Sequence, residues 1–383
     1  MFNKLSFLRK NYSTISSFKN NILLIPGPVN TSERIKNIVK SDLGSRDDKF
    51  IDVIKNLRNN ILKTANADST KYSTVLIPGS GTSGNESVIS SLPKNSYLGV
   101  FSNGIYGDRL FEIAQRQGIK SDLISLSSTK RITSDLVYNH INKFTHVALA
   151  HNETSIGTQN DVENIAKITD KFNKILIVDA ISSFGGIPID LNNTNIDFLI
   201  TSSNKCLHSF PGLSMIIAKK DHLNAYKNSS SLSLDMYNQW IELEKKNQFR
   251  FTPPVQIVHA LNDSIEELLS EGGVDNRYIR YKKFNKIVRD EMKSIGLLPL
   301  LKDLDQGPIV SSFNYPYKDF NYKDLYTRLK KYNITIYTAH HNNIEVLRLG
   351  NIGSISESEL KKCMEIIKKE INEMISENKI NIQ

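Results

Sequence analysis

Apolar and polar positions along the chain alternate between two textures. From residue 70 to 270, short apolar runs of strand length recur: Thr74–Ile77, Tyr97–Phe101, His146–Ala150, Ile175–Asp179, Asp197–Thr201 and Leu213–Ala218. Between several of them lie helical periodicities, such as Gly107–Gln117 and Val162–Phe172. Continuous apolar strands separated by amphipathic helices predict a mostly parallel sheet covered on both faces. Past residue 270 the texture changes. A long charged helix over about Val274–Ile295 leads to short strands at Ile309–Phe313, Ile334–Tyr337 and Val346–Leu349, flanked by amphipathic stretches around 322–331 and 356–376. The expected class is therefore α/β: a large domain over 36–273, and a smaller C-terminal α+β domain over 274–383 with which the strip 21–35 packs.

Composition narrows the picture only in places. The formal charge of +9, from 49 basic and 40 acidic residues, invites a nucleic-acid reading. The basic residues are scattered and form no recognition motif, so neither nucleic acid nor membrane is an expected partner. No run of 18 apolar residues occurs. Two cysteines, Cys206 and Cys363, are too few for a disulfide framework. His340-His341 are adjacent, so on a strand they point apart, and no metal site is expected. Residues 1–20 hold Lys4, Arg9, Lys10 and Lys19 with several serines and no acid. That pattern predicts a mitochondrial transit segment cleaved before Asn21, with a cytoplasmic protein as the alternative.

The chemistry lies where apolar runs end. Ile175-Leu176-Ile177-Val178 closes on Asp179, and Phe198-Leu199-Ile200 leads through Thr201-Ser202-Ser203-Asn204 to Lys205. In an open α/β sheet, ligands bind beyond the carboxyl ends of the strands. A carboxylate and an amine placed there suit pyridoxal phosphate, pairing with the ring nitrogen and bonding to the aldehyde respectively. A third strand end, Thr74–Ile77, runs into Pro78-Gly79-Ser80-Gly81-Thr82-Ser83-Gly84. Glycines there let the backbone approach an anion, and a helix starting near Thr82 would aim its N–H groups at it. The spacing is neither that of a nucleotide P-loop nor that of a dinucleotide fingerprint.

Taken in order, these stretches resemble the class V, fold-type I aminotransferases across about residues 22–375. The matching segments are Leu24-Ile25-Pro26-Gly27-Pro28, Gly79-Ser80-Gly81-Thr82, Ser102-Asn103-Gly104-Ile105-Tyr106-Gly107 and His151-Asn152-Glu153-Thr154. They continue through Val178–Gly186, Ser203-Asn204-Lys205-Cys206, Ser231–Asp235, Arg250-Phe251-Thr252 and Arg348-Leu349-Gly350-Asn351-Ile352-Gly353.

The resemblance implies roles. Lys205 would be the Schiff-base lysine and proton carrier, and Asp179 would keep the cofactor ring protonated. Ser80, Gly81 and Thr82 would hold the phosphate, and Thr252 would reach it from a neighbouring subunit, making a homodimer with shared sites. Tyr106 would stack on the ring; Thr154 and Asn204 would donate to the ring hydroxyl and the phosphate region. Arg348 would clamp the substrate acid, Pro26 and Gly27 would line the entrance, and Arg46 would be a second contact for a dianion. The implied activity is transfer of the amino group of 2-aminoethylphosphonate to pyruvate by ping-pong chemistry. Alternatives are an alanine or serine aminotransferase acting with glyoxylate or pyruvate, and an aminophosphonate lyase. A cysteine desulfurase would need a mobile catalytic cysteine, which neither Cys206 nor Cys363 suggests.

Overall fold

A computed structural model describes residues 16–341 and 344–382. The strands are β1 (Ile22–Leu24), β2 (Tyr72–Gly79), β3 (Tyr97–Ser102), β4 (Lys120–Ser125), β5 (His146–Ala150), the short hairpin β6 (Asn152–Glu153) and β7 (Thr158–Gln159), β8 (Ile175–Asp179), β9 (Phe198–Ser202), β10 (Gly212–Lys219), β11 (Val310–Asn314), β12 (Ile334–His341) and β13 (Ile344–Gly350).

Seven of them form one sheet in the order β2-β10-β9-β8-β5-β3-β4. From β9 through to β4 every pairing is parallel, and β10 runs antiparallel to both β9 and β2. The central strands β5 and β9 are buried at every position, because helices cover both faces of the sheet. One large apolar core runs through this layer, with Phe50, Leu57, Phe101, Phe144 and Phe198 almost wholly out of water.

The second sheet has the order β1-β12-β13-β11. Its own core joins Phe313, Leu347 and Leu349 to Leu360, Ile367 and Ile371 of the C-terminal helix Glu357–Ile382. The helix Gly273–Lys293 packs along the C-terminal helix and on the large-sheet helix Val255–Ser270, and so spans the two cores. The chain enters through the second sheet: β1 pairs in parallel with β12 at Ile22–Ile334.

Part of the segment expected to be a cleaved leader packs beside this sheet. The Phe18 N–H donates to the Tyr332 carbonyl at 3.2 Å, Asn333 Nδ2 donates to the Phe18 carbonyl at 2.7 Å, and the Phe18 ring packs on the second core. Residues 1–15 of that segment lie outside the described residues. His340 and His341 end β12, where they pair with Glu345 and Ile344.

Candidate active site

Three strand ends of the large sheet and one strand of the small sheet converge. Asp179 is the last residue of β8, and Lys205 lies three residues past β9. Ser80 follows β2 as the N-cap of the helix Gly81–Ser90, and Arg348 stands on β13 between its partners Tyr337 and Ser312.

Asp179 is 5% exposed. Its Oδ2 accepts from Asn85 Nδ2 at 2.7 Å and its Oδ1 from the Ile181 N–H at 2.9 Å. Burial nevertheless raises the carboxyl above its ordinary range, since among the described residues no cation bonds to it.

The Lys205 amine donates to the Pro26 carbonyl at 3.0 Å. Burial, with Arg348 close by, pushes its pKa down to about 8, while Asp179 pulls the other way. Gly27 has φ +125°, and a Cβ there would fall 2.7 Å from the Lys205 nitrogen. The N-terminal strip therefore leaves room for the lysine only because this position lacks a side chain.

Arg348 has no carboxylate partner among the described residues. Its Nη1 donates to the Thr154 carbonyl at 2.6 Å and its Nη2 to the Thr338 carbonyl at 3.4 Å, and its buried Nε has no partner. The Thr154 hydroxyl is likewise buried and unpartnered. Behind them Glu153, wholly buried, accepts from the Tyr106 N–H and the Ser155 N–H at 3.0 Å each. Burial raises its carboxyl too, and its charge reaches Arg348.

At the helix Gly81–Ser90 the Ser80 side chain makes no capping hydrogen bond, so its hydroxyl and the first helical N–H groups remain available to an anion. Arg109 joins this corner: its Nη1 donates to Thr82 Oγ1 at 3.4 Å, and its guanidinium lies 5.2 Å from the Tyr106 ring centre.

A buried carboxylate without a cation, a lysine poised to lose its proton, and a helix N-terminus with an idle cap are the complement of pyridoxal phosphate. The ring nitrogen, aldehyde and phosphate of that cofactor would complete all three. The residues present fit it.

Three other expected site residues show only local surroundings. Asn204 is partly buried, where its side chain accepts from Ser202 Oγ at 3.1 Å. Thr252 is exposed ahead of the helix Val255–Ser270. Arg46 is exposed in a turn closed by the Gly44 N–H donating to Asp47 at 3.0 Å. Among the described residues, no hydrogen bond joins Thr252 or Arg46 to the cluster.

Sequence reading missed Asn85, which sits one helical turn past the cradle, and Arg109, which lies at i+3 from Tyr106 and so shares its helix face. It also passed over His208, whose Nε2 accepts from the Gly353 N–H at 3.1 Å. That bond ties the Lys205 loop to the chain just after Arg348. Burial pushes Cys206 and Cys363 up to about 12, which keeps both as thiols and speaks against a cysteine desulfurase. A cleft of about 1050 Å³ lies away from Lys205, lined by Arg131, His151, Lys282 and Arg289 among others. Arg131 pairs with Asp161 and Arg289 with Asp303, so much of its charge is neutralised.

The chain's relatives agree with this geometry. Residues 29–355 match the family model "Aminotransferase class-V". A 2-aminoethylphosphonate–pyruvate transaminase of Phocaeicola vulgatus is 37% identical over 355 residues, covering 91% of this chain and 98% of that one. One of Bacillus cereus is 38% identical over 354 residues, covering 91% and 97%. Among solved structures, an alanine–glyoxylate aminotransferase from Nostoc sp. superposes with TM-score 0.85 at 19% identity, covering 97% of this chain and 100% of that one. A pyridoxamine–pyruvate aminotransferase from Mesorhizobium loti gives 0.85 at 21%, covering 92% of each. These relatives overturn the expectation of mitochondrial import: they are bacterial proteins, and the cytoplasmic alternative is the one they fit.

Proposed function

We infer the reaction from one premise: the chain belongs to the aminotransferase class-V family. It is a pyridoxal-phosphate-dependent aminotransferase. The substrates we propose are 2-aminoethylphosphonate as amine donor and pyruvate as acceptor, which gives phosphonoacetaldehyde and L-alanine. The names of the relatives at 37–38% identity support the choice. The observation that carries it in the molecule is Arg348, a sheltered guanidinium with no carboxylate of its own, close enough to Lys205 to depress its amine.

Lys205 would hold the cofactor through its amine, Asp179 through the ring nitrogen, and Ser80, Gly81 and Thr82 through the phosphate. The bound cofactor supplies an electron sink for the pair left behind when the donor carbon loses its proton. The Lys205 amine would take that proton; with a pKa near 8 it is a free base in a useful fraction of molecules. Arg348 fixes the acid end of the substrate. Its planar fork matches phosphonate and carboxylate oxygens alike, so one residue serves both halves of a ping-pong cycle. Glu153 stays behind, holding the Tyr106 backbone and reinforcing the charge of Arg348. Pro26 and Gly27 form the wall against which the lysine rests.

Thr252 and Arg46 have a place in this scheme only if a second copy presents them to the site, so we propose a homodimer with shared sites. Mixed dimers that pair Thr252→Ala with Lys205→Ala test this, since one intact composite site restores activity only if sites are shared.

The reaction itself is tested by storing the amino group. The purified enzyme is incubated with 2-aminoethylphosphonate and no keto acid, freed of small molecules, and then given pyruvate. The expected result is about one alanine per active site. Alanine formation only after prior loading with serine would move the donor to the carboxylate branch. Ammonia release without pyruvate would indicate a lyase.

A further inference from the structure

Two other sheltered arginines, Arg58 and Arg277, are well supplied with acceptors. Arg58 donates to the Thr74 and Leu243 carbonyls, to Ser73 and to Glu244; Arg277 donates to Glu271 and to the Cys206 carbonyl. Arg109 differs. A guanidinium carries five donors, and among the described residues this one makes a single long hydrogen bond, to Thr82 Oγ1 at 3.4 Å. It is partly buried and is held in place by the ring of Tyr106, one turn earlier on the helix Ile105–Arg116.

Its surroundings are those of an anion receptor. Thr82 is the second residue of the helix Gly81–Ser90, whose N-terminal N–H groups face the same corner and whose cap Ser80 keeps its hydroxyl free. Arg109 also acts on the reacting groups at a distance: its charge favours the ionised form of Asp179 and disfavours the ammonium form of Lys205.

We propose that Arg109 is an anion-binding residue of this site, closing with Ser80, Gly81 and Thr82 around the phosphate of the cofactor. The proposal rests on the cofactor assignment made above. A guanidinium gives bidentate, charge-assisted bonds to a phosphate dianion that a hydroxyl and two N–H groups do not. It also links the phosphate corner to Tyr106, so that filling the cradle fixes the aromatic ring in the same step.

The test compares two ligands that differ only by the phosphate. Cofactor-free protein is titrated with pyridoxal phosphate and with pyridoxal, for wild type, Arg109→Gln and Arg109→Lys, with far-ultraviolet circular dichroism as a check of folding. The expected result is a loss of roughly 10- to 100-fold in affinity for pyridoxal phosphate in Arg109→Gln, the worth of a charge-assisted bond. Affinity for pyridoxal should stay within about twofold, because that ligand never reaches the guanidinium. Arg109→Lys should fall between, keeping the charge and losing the fork. Equal losses for both ligands would reduce Arg109 to a packing residue and overturn the proposal. Unchanged affinity for pyridoxal phosphate with a raised KM for the aminophosphonate would assign the guanidinium to the substrate's phosphonate, and would equally overturn it. If wild type binds the two ligands alike, the cradle assignment fails, and Arg109 with it.

Discussion

Asp179 and Asp197 lie on the same sheet, beside neighbouring strands, and are almost equally buried at 5% and 3% exposure. Their electrostatics are opposite. Asp197 accepts from Lys219 Nζ at 2.7 Å and from the Leu176 N–H at 2.7 Å, with His222 Nε2 at 2.9 Å, and these partners hold it below the ordinary carboxylate range against the cost of burial. Among the described residues Asp179 has one amide, one N–H and no cation bonded to it, and burial wins. The arginines repeat the contrast. Arg328 pairs with Asp324 and Glu377, while Arg348 has two carbonyls and a buried Nε without a partner. Leaving a buried charge half-satisfied costs stability, so an unfinished site marks where a ligand is to complete it. Asp197 and Arg328 are finished structure; Asp179, Lys205 and Arg348 are not.

Substitutions at the unfinished positions should damage chemistry far more than folding. Lys205→Ala should lower turnover by about 10³-fold or more, the scale of losing a positioned base, while the melting temperature holds or rises because a sheltered amine is removed. Steady-state kinetics with differential scanning calorimetry checks both; a variant that turns over normally breaks the contrast at its centre. Arg348→Gln should cost about 10²-fold in kcat/KM for donor and acceptor alike, the worth of a bidentate charge-assisted contact. Arg348→Lys should recover only part of it. A loss confined to one substrate would mean that a different group binds the other.

The scaffold was the more legible part of the sequence. Strands β5 and β8 coincide with the apolar runs His146–Ala150 and Ile175–Asp179, because a strand buried on both faces must read as an unbroken apolar stretch. Strand β4, Lys120–Ser125, escaped notice: it is the sheet edge, half in water, and its sequence Lys-Ser-Asp-Leu-Ile-Ser carries no such run. The same logic divides the site. Lys205, Asp179 and Ser80 stood out because they follow strand ends, where sheet topology alone says a ligand sits. Arg109, Asn85 and Glu153 depend on how helices and a short hairpin dock against those ends, which periodicity does not encode. Arg46 and Thr252 are exposed, and their local sequence carries no strand-end signal that would place them at the site. The leader-like composition of residues 1–20 misled because an acid-poor, basic and serine-rich stretch can also precede a sheet strand, as Phe18 does here.

The two aspartates can be set against each other directly. Asp197→Asn should destabilise the protein by about 3 kcal/mol, because Lys219 is left beside a neutral amide in a mostly buried position. The carboxyl of Asp197 is depressed in the fold, so its contribution is present above the unfolded pKa of about 3.9 and lost as pH falls through the folded value. Asp179→Asn should leave the cofactor-free protein at least as stable. Asn85 has a buried Oδ1 without a partner, and turning its amide over lets it accept from the new asparagine. The raised carboxyl reverses the pH sign: ionising it costs stability as pH rises above about 3.9, and the amide removes that cost. Affinity for pyridoxal phosphate should drop about tenfold in this variant. Urea titrations at pH 5 and 8, with cofactor titration alongside, would show whether the pair splits this way; matching stability losses would erase the distinction.

The mildest effect is also the sharpest test of how the unfinished charges act on one another. With its amine near 8, Lys205 should capture pyridoxal phosphate at a rate that climbs about tenfold per pH unit below that value and levels off above it, since only the neutral amine attacks. Arg348 pushes the ammonium toward losing its proton, and Asp179 holds the proton on. Arg348→Gln should therefore move the inflection to higher pH, and Asp179→Asn should move it to lower pH. Stopped-flow capture from pH 6 to 10 reads both shifts. An inflection near 10.4 in the wild type, the value of a lysine in water, would mean that the amine is not sheltered at all. Shifts of the same sign in the two variants would mean that repacking rather than charge governs Lys205, because a direct electrostatic coupling makes a carboxylate and a guanidinium pull the same proton in opposite directions.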